Sequence, residues 1–431
     1  MTDSSAPPNN ERWLTGRSLA WAIYDFSTSV WTITVISRYF PIWAKENLGG
    51  EDWHIVMANA VSLVIAFLFE LLLTPLSDAT GRRRIFVTLF TLTTVGSTLL
   101  LGTLPPLWGA LALFALGNMG LNVAATFYNA MLRDVSTPRT IDRVSAVGVA
   151  LAEVGIVTGL IAASLYSGDS KFNLVFWSTA IILLVFASPL MLFVRERRNG
   201  GGVSYHEARA RAWADLKRLT LFVIQVRWLR LFFLSFMFSA GAVAAVGLFM
   251  VPYAKEIIGL SEERRIWVMD ELSFFLFVAT SFSVIAALPS GAAATRWGDF
   301  RVLLWAAVVW GVAFLVVAVA ESLWVFLVAG ALVGAAYSAG RVATRAVLLK
   351  AVGAEDSSKI FAVLGVAFKI AVLGGTGLWA AVVAIAKASQ ADDPPRYAVA
   401  AMFALMLVSI FLLRDAMRER RRVEEKAGKF E

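Results

Sequence analysis

The sequence predicts an all-α polytopic membrane protein, with twelve transmembrane helices in two pseudo-symmetric six-helix bundles. Three observations carry that prediction. The first is composition. Of the 431 residues, 58% are hydrophobic and 16% charged, and the mean hydropathy of +0.71 is far too high for a soluble chain of this length. The second is a repeated turn: residues 74–84, TPLSDATGRRR, return 217 positions later as residues 291–301, GAAATRWGDFR. The third is the distribution of the 39 Lys and Arg residues, which alternates from one loop to the next.

In chain order, apolar runs of about 20 residues are long enough to cross a hydrocarbon core. They fall at 18–43, 53–76, 85–104, 107–131, 142–166, 174–194, 228–252, 266–291, 302–320, 323–349, 360–386 and 397–413. Runs of this length joined by short loops suit helices and not a barrel. The amino-terminal MTDSSAPPNNERW lacks a cleavable signal pattern, so the first run is expected to remain as a span. With both termini cytoplasmic, and Arg143 and Arg230 at the run edges counted with the loops they border, 28 basic residues fall in the tails, the even loops and the linker, 7 in the opposite loops and four inside spans. That four-to-one bias is the one membrane insertion imposes. The expected plan is a first bundle over 1–194, a cytoplasmic linker with an interfacial helix over 195–227, a second bundle over 228–413 and a basic cytoplasmic tail over 414–431. In the linker, Ser204 and Glu207 form a capping-box pattern. The helix that follows places Trp213, Leu216 and Leu219 near one face, with Arg209, Arg211, Lys217 and Arg218 available for headgroups. The tail continues the last helix and is expected beside anionic lipid.

Several chemistries are disfavoured. There is no cysteine; His54 stands at the edge of the second apolar run and His206 lies outside the runs. No phosphate-binding G-x-x-x-x-G-K-[ST] loop occurs. Neither a cofactor nor a metal is expected, and an enzyme is disfavoured. The net charge of +8 follows membrane topology and does not point to nucleic acid.

The offset of 217 pairs Thr74 with Gly291, Asp78 with Thr295, Gly81 with Gly298, Arg84 with Arg301, Gly117 with Gly334 and Gly148 with Gly365. Recurring glycines suggest matched turns and close helix contacts. Gly81 or Gly298 permits a tight reversal, and Asp78 can meet an arginine or a helix N-terminus.

The residues that can carry chemistry are the polar ones inside spans, where an ionisable side chain is costly and avoids lipid. Asp25, Ser29 and Thr32 lie on one helical stripe in the first span. Asn118, Asn122 and Asn129 share a face of the fourth, with Tyr128 close by; their amides suit zwitterionic or polyhydroxy ligands, or bind helix to helix. Arg341 and Arg345 stand one turn apart in the tenth span, and Lys369 sits near the middle of the eleventh. These three cations imply an anionic ligand group or carboxylate partners such as Asp25 and Glu153. Glu153, mid-span in the fifth, and Asp25 are proton-coupling candidates, with structural ion pairs as the competing reading. Arg38, near the outer end of the first span, either snorkels or closes an outer gate. Glu70 is expected to meet the basic residues of the first turn. Asp270 and Glu271 lie at the outer mouth of the eighth span, after a helix start capped by Ser261, and receive no transport role.

The repeated turn resembles the G-x-x-x-D-x-x-G-R-R motif of the major facilitator superfamily, over nearly the whole chain. The first copy keeps Asp78 but has Thr74 for the leading glycine; the second keeps Gly291 but has Thr295 for the acid. The resemblance implies the major facilitator fold. It also implies a conformational latch at Asp78, Gly81, Arg82 and Arg84, and at Gly291, Gly298 and Arg301, with the acidic part supplied by the first copy alone. Further stretches resemble the vacuole-effluxer-like transporter branch. They are WAIYDFSTSVW at 21–31 with Phe40-Pro41, YNAMLRDVSTPRTIDRVSAVG at 128–148, GRVATRAVLLK at 340–350 and FAVLGVAFK at 361–369. Arg345 and Lys369 match positions of that branch, whereas Arg341 and Glu153 stand where it has uncharged residues.

The resulting expectation is a secondary active transporter of a small anionic or zwitterionic, amino-acid-like solute, working by alternating access and coupled to protons through Asp25 or Glu153. The alternatives are an exporter or flippase of amphipathic molecules such as drugs or lysolipids, and a non-transporting membrane sensor. A monomer in the bacterial cytoplasmic (inner) membrane is expected, with lipid, solute and protons as its partners.

Overall fold

The computed structural model describes residues 14–103, 105–137, 141–166, 171–194, 205–267, 269–351 and 357–427. The first span is one rod, Gly16–Glu46, made of α1 (Gly16–Trp31), a π-helical stretch (Thr32–Tyr39) and α2 (Phe40–Glu46). Thr15 caps it by accepting from the Ser18 backbone. Pro41 lies in the first turn of α2, where its fixed φ and missing N–H are tolerated.

Five more spans complete the first half: α3 (Asp52–Thr80), α4 (Arg83–Leu101), α5 (Leu107–Val135), α6 (Ile141–Ser164) and α7 (Lys171–Phe193). The linker helix α8 (Tyr205–Gln225) leads into the second half, which opens with α9 (Arg227–Glu256). A two-residue hairpin follows, β1 (Arg265–Ile266) with β2 (Met269–Asp270). Then come α10 (Glu271–Trp297), α11 (Asp299–Val319), α12 (Leu323–Ala351), α13 (Ser357–Ala388) and α14 (Pro394–Ala427). Eleven of the twelve spans are long and apolar enough to cross a membrane; the apolar part of α10, Glu271–Ala287, is shorter. Shifted by 217, α3, α4 and α5 land on α10, α11 and α12 to within two residues at each end. The repeat seen in the turns is therefore a repeat of whole helices.

The eighth span starts later than the sequence suggests. Residues 265–270 are spent on the hairpin, and the cap of α10 is Asp270, whose side chain accepts from the Ser273 backbone, not Ser261. Ser261 instead donates its backbone N–H to Glu271 and accepts from that of Glu263. In the linker, Leu219 is buried and Leu216 partly buried against the second half, but Trp213 points away and is exposed. Ser204 and the side chain of Arg209 lie outside the described residues and side chains.

Two ends of the molecule differ in how the halves meet. At the end opposite the repeated turns, here the far face, one apolar core runs through both halves and includes Trp43, Phe114, Phe249 and Trp379. At the turn face the cores are separate: Trp21, Tyr24, Phe127 and Met131 in the first half, Phe232, Val347 and Ile360 in the second. The halves are thus joined at the far face and parted at the turn face.

Candidate substrate site and gates

Asp25 occupies the inner wall of α1, held in an aromatic collar. Trp21 stacks on Tyr128 at 4.5 Å between ring centroids and donates its indole N–H to the Tyr128 carbonyl at 3.0 Å. Tyr24 packs on the same ring at 4.7 Å and shares a 2.8 Å hydrogen bond with Thr91. The carboxylate rests over Gly148 of α6, where a Cβ would fall 2.7 Å from Asp25 Oδ2. The Tyr128 hydroxyl faces that carboxylate but falls short of regular hydrogen-bond geometry, leaving a buried donor without a partner.

Across the gap, Arg341 and Arg345 stand one turn apart on α12, within electrostatic range of Asp25. Glu153 on α6 lies within range of Arg341, whose guanidinium sits 5.4 Å from the Tyr337 ring centroid. Among the described residues, Asp25, Glu153, Arg341 and Arg345 form no direct ion pair. Two carboxylates of one half therefore stand within electrostatic range of two guanidiniums of the other.

Other predicted residues go elsewhere. Lys369 donates to Glu70 of α3, both side chains largely buried, so its partner is neither Asp25 nor Glu153, and Glu70 does not serve the turn. The two fall at similar depth in antiparallel helices, which is why they meet. Asn118 is 2% exposed; its amide donates to Asn59 at 2.9 Å and Ser62 at 2.7 Å, while Asn122 donates back to it. These amides fasten α5 to α3, the helix-to-helix alternative. Asn129 is exposed on the same helix.

At the first turn, Gly81 takes φ +64° and ends α3. Arg82 is exposed, Arg83 pairs with Asp134 at 3.2 Å and Arg84 donates to the Val194 carbonyl at 3.2 Å. The side chain of Asp78 lies outside the described side chains, as does that of Thr295. At the second turn Gly298 takes φ +91°, Arg301 is exposed, and Asp299 pairs with Lys350 at the end of α12. The second copy does carry an acid, four residues after Thr295. Matched close contacts are not general: Gly148 abuts Asp25, but nothing lies within 4 Å of a Cβ at Gly365 or Gly291.

The far face holds what local sequence patterns missed. Arg38 is 1% exposed and donates to Asp270 at 2.8 Å and to Ser273. Ser273 in turn donates its backbone N–H and hydroxyl to Asp270, both at 3.0 Å. Burial pushes the Asp270 carboxyl up, but Arg38 and the Ser273 hydrogen bonds outweigh it and hold it below the usual carboxylate range. Around this buried pair runs a more exposed ring. Lys45 meets Asp52 at 3.1 Å and Glu256 at 3.2 Å, Lys255 meets Glu46 at 2.7 Å, Lys171 meets Glu262, and Trp379 donates to Asp52. Arg38 is thus buried and paired across the halves, and Asp270, given no role from sequence, is its partner. The signal was a cation near the outer end of an apolar run, about four turns from Asp25, the acid within the same run.

Comparison with known proteins agrees with this architecture. The Major Facilitator Superfamily profile matches residues 26–284 and 267–431. The chain belongs to the major facilitator superfamily. It is 25% identical over 293 residues to the uncharacterized MFS-type transporter YxiO of Bacillus subtilis (strain 168), covering 62% of this chain and 65% of that protein. It is 26% identical over 195 residues to an uncharacterized protein of Aquifex aeolicus (strain VF5), covering 44% and 49%. The chain thus spans about half the length of one relative and just under two thirds of the other. Among solved structures, the nucleoside transporter NupG superposes with a TM-score of 0.69 at 11% identity, over 94% of this chain and 99% of that one. A bacterial homolog to the human lysosomal transporter Spinster, inward-facing and unoccupied, gives 0.68 at 15% identity, over 94% and 96%. At these identities the likeness to the solved structures shows the fold.

Proposed function

We propose that this major facilitator protein moves a small anionic or zwitterionic, amino-acid-like solute by proton-coupled alternating access. The observation that carries the reading is the guanidinium couple, Arg341 and Arg345, without an ion-pair partner among the described residues and facing Asp25 and Glu153 from the opposite half. With both carboxylates ionised, the four charges balance and hold no net attraction for an anion. Protonating one carboxylate leaves one positive charge to be neutralised, and a monoanion entering the gap does so. Proton and solute then cross together, and the two guanidiniums give a carboxylate its bidentate partner. A neutral nucleoside, the solute class for which NupG is named, makes no use of that pair.

In this proposal the turn face is cytoplasmic, by the excess of Lys and Arg there, and the parted state is inward-facing. The test is solute flux in proteoliposomes across amino acids, small organic anions, nucleosides and lysolipids, with and without an imposed pH gradient. Acid-driven uptake of a carboxylate solute, weakened in apparent affinity by Arg341→Gln and uncoupled from the gradient in Asp25→Asn with Glu153→Gln, is the expected result. Flux of lysolipids alone would move the assignment to an amphipath exporter, and undiminished gradient-driven uptake in the double amide variant would end the proton proposal.

A further inference from the structure

A second cationic site lies away from the gap, at the turn face of the second half. A cleft of about 420 Å³ opens between the second copy of the repeated turn and the end of α14. Its lining carries four cations and two acids, and both acids are engaged: Asp299 with Lys350, Glu424 with Arg420 at 2.8 Å. Arg420 is further fixed, its guanidinium 5.3 Å from the ring centroids of both Trp228 and Phe300. That leaves Arg301 and Arg421, which are exposed and, among the described residues, have no ion-pair partner. Two free guanidiniums at one cleft, against a rigid wall of neutralised pairs, form a receptor for a phosphate group.

We propose that this cleft binds the phosphate of an anionic phospholipid headgroup. Its height favours lipid over a soluble phosphate. The apolar run of α11 begins at Val302 and that of α14 ends at Leu413, so the cleft sits where the spans leave the hydrocarbon. Trp297, 56% exposed at the rim, is the residue type that settles at that boundary, and Met417 supplies an apolar floor beneath the cations. A bound headgroup bridges the turn to α14 and lies against Lys350 at the end of α12, the helix that carries Arg341 and Arg345.

The experiment is native mass spectrometry of the purified full chain titrated with phosphatidylglycerol, phosphatidylcholine or inorganic phosphate. It compares wild type with Arg301→Gln/Arg421→Gln and with Arg414→Gln/Arg418→Gln, which removes two cations outside the cleft. Removing both cleft guanidiniums is expected to weaken the first phosphatidylglycerol about tenfold or more. The control pair is expected to leave it unchanged, and phosphatidylcholine to show no such step. Equal binding by wild type and the cleft variant overturns the site. Equal loss in the control variant reduces it to general surface charge, and inorganic phosphate binding as tightly as the lipid overturns the lipid assignment. Unchanged melting temperatures for both variants confirm that folding is not the cause.

Discussion

At the scale of single residues, the ionisable groups in the spans were legible because an isolated charge in an apolar run demands a partner or a cavity. Asp25, Glu153, Arg341 and Arg345 meet that demand together across the gap. Asn118 was ambiguous for an equally physical reason: a helical stripe fixes which face a side chain takes, not which helix lies against it. Its contacts predict a split between stability and transport. Asn118→Ala leaves Asn59 and Ser62 short of a donor and is expected to cost about 1 kcal/mol, lowering the melting temperature without changing the half-saturating solute concentration. Arg341→Gln is expected to do the reverse, raising that concentration about tenfold or more through loss of a charge-assisted contact. Gly148→Ala tests the placement of Asp25 without removing it. Its Cβ would fall 2.7 Å from the carboxylate, so the side chain must shift, and gradient-driven uptake is expected to fall as in Asp25→Asn while the fold survives.

At the scale of elements, helix positions were readable from hydropathy to within a few residues, apart from the start of α10, where a hairpin replaced a turn of helix. Contacts between elements were not readable. Arg38 and Asp270 are 232 residues apart, and no local pattern joins them. Their burial makes the pair the dominant tie between α10 and the first rod, since removing one partner of a buried pair costs about 3–5 kcal/mol. Arg38→Met is therefore expected to shift the population toward a far face that opens, and Arg38→Met/Asp270→Asn to recover part of the closed state. The absence of cysteine from the chain permits single introduced thiols at the far face, whose labelling rate reads the opening. The pH dependence follows from Asp270, which the closed gate holds below the ordinary carboxylate range. Its contribution is complete above that range and is lost as pH falls through the depressed value. Labelling at the far face is expected to be flat around neutrality and to rise only in acid.

At the scale of the whole molecule, the two copies of the turn build the same scaffold with opposite electrostatics. In the first, a turn cation, Arg83, reaches an acid on the next span, Asp134; in the second, a turn acid, Asp299, reaches a cation, Lys350. The duplicated architecture could be read from the offset of 217 because glycines and spans obey it, whereas the charges were free to exchange sides and so escaped the motif. The balance between states rests on the contrast between faces. The far face is closed by the continuous apolar core, the buried Arg38 pair and a ring in which Glu46 and Glu256 have side chains 46% and 43% exposed, while Asp52 and Glu262 are more buried. Exposed pairs contribute about 0–1 kcal/mol each and are screened by salt, while the buried pair is screened far less. Spin labels on opposite halves at the far face are therefore expected to keep a short distance as salt is raised in the wild type. In Arg38→Met, where the ring carries more of the closure, the same salt is expected to populate a longer distance. A wild-type distance that lengthens with salt as readily as the variant's would place closure in the ring and not in the buried pair.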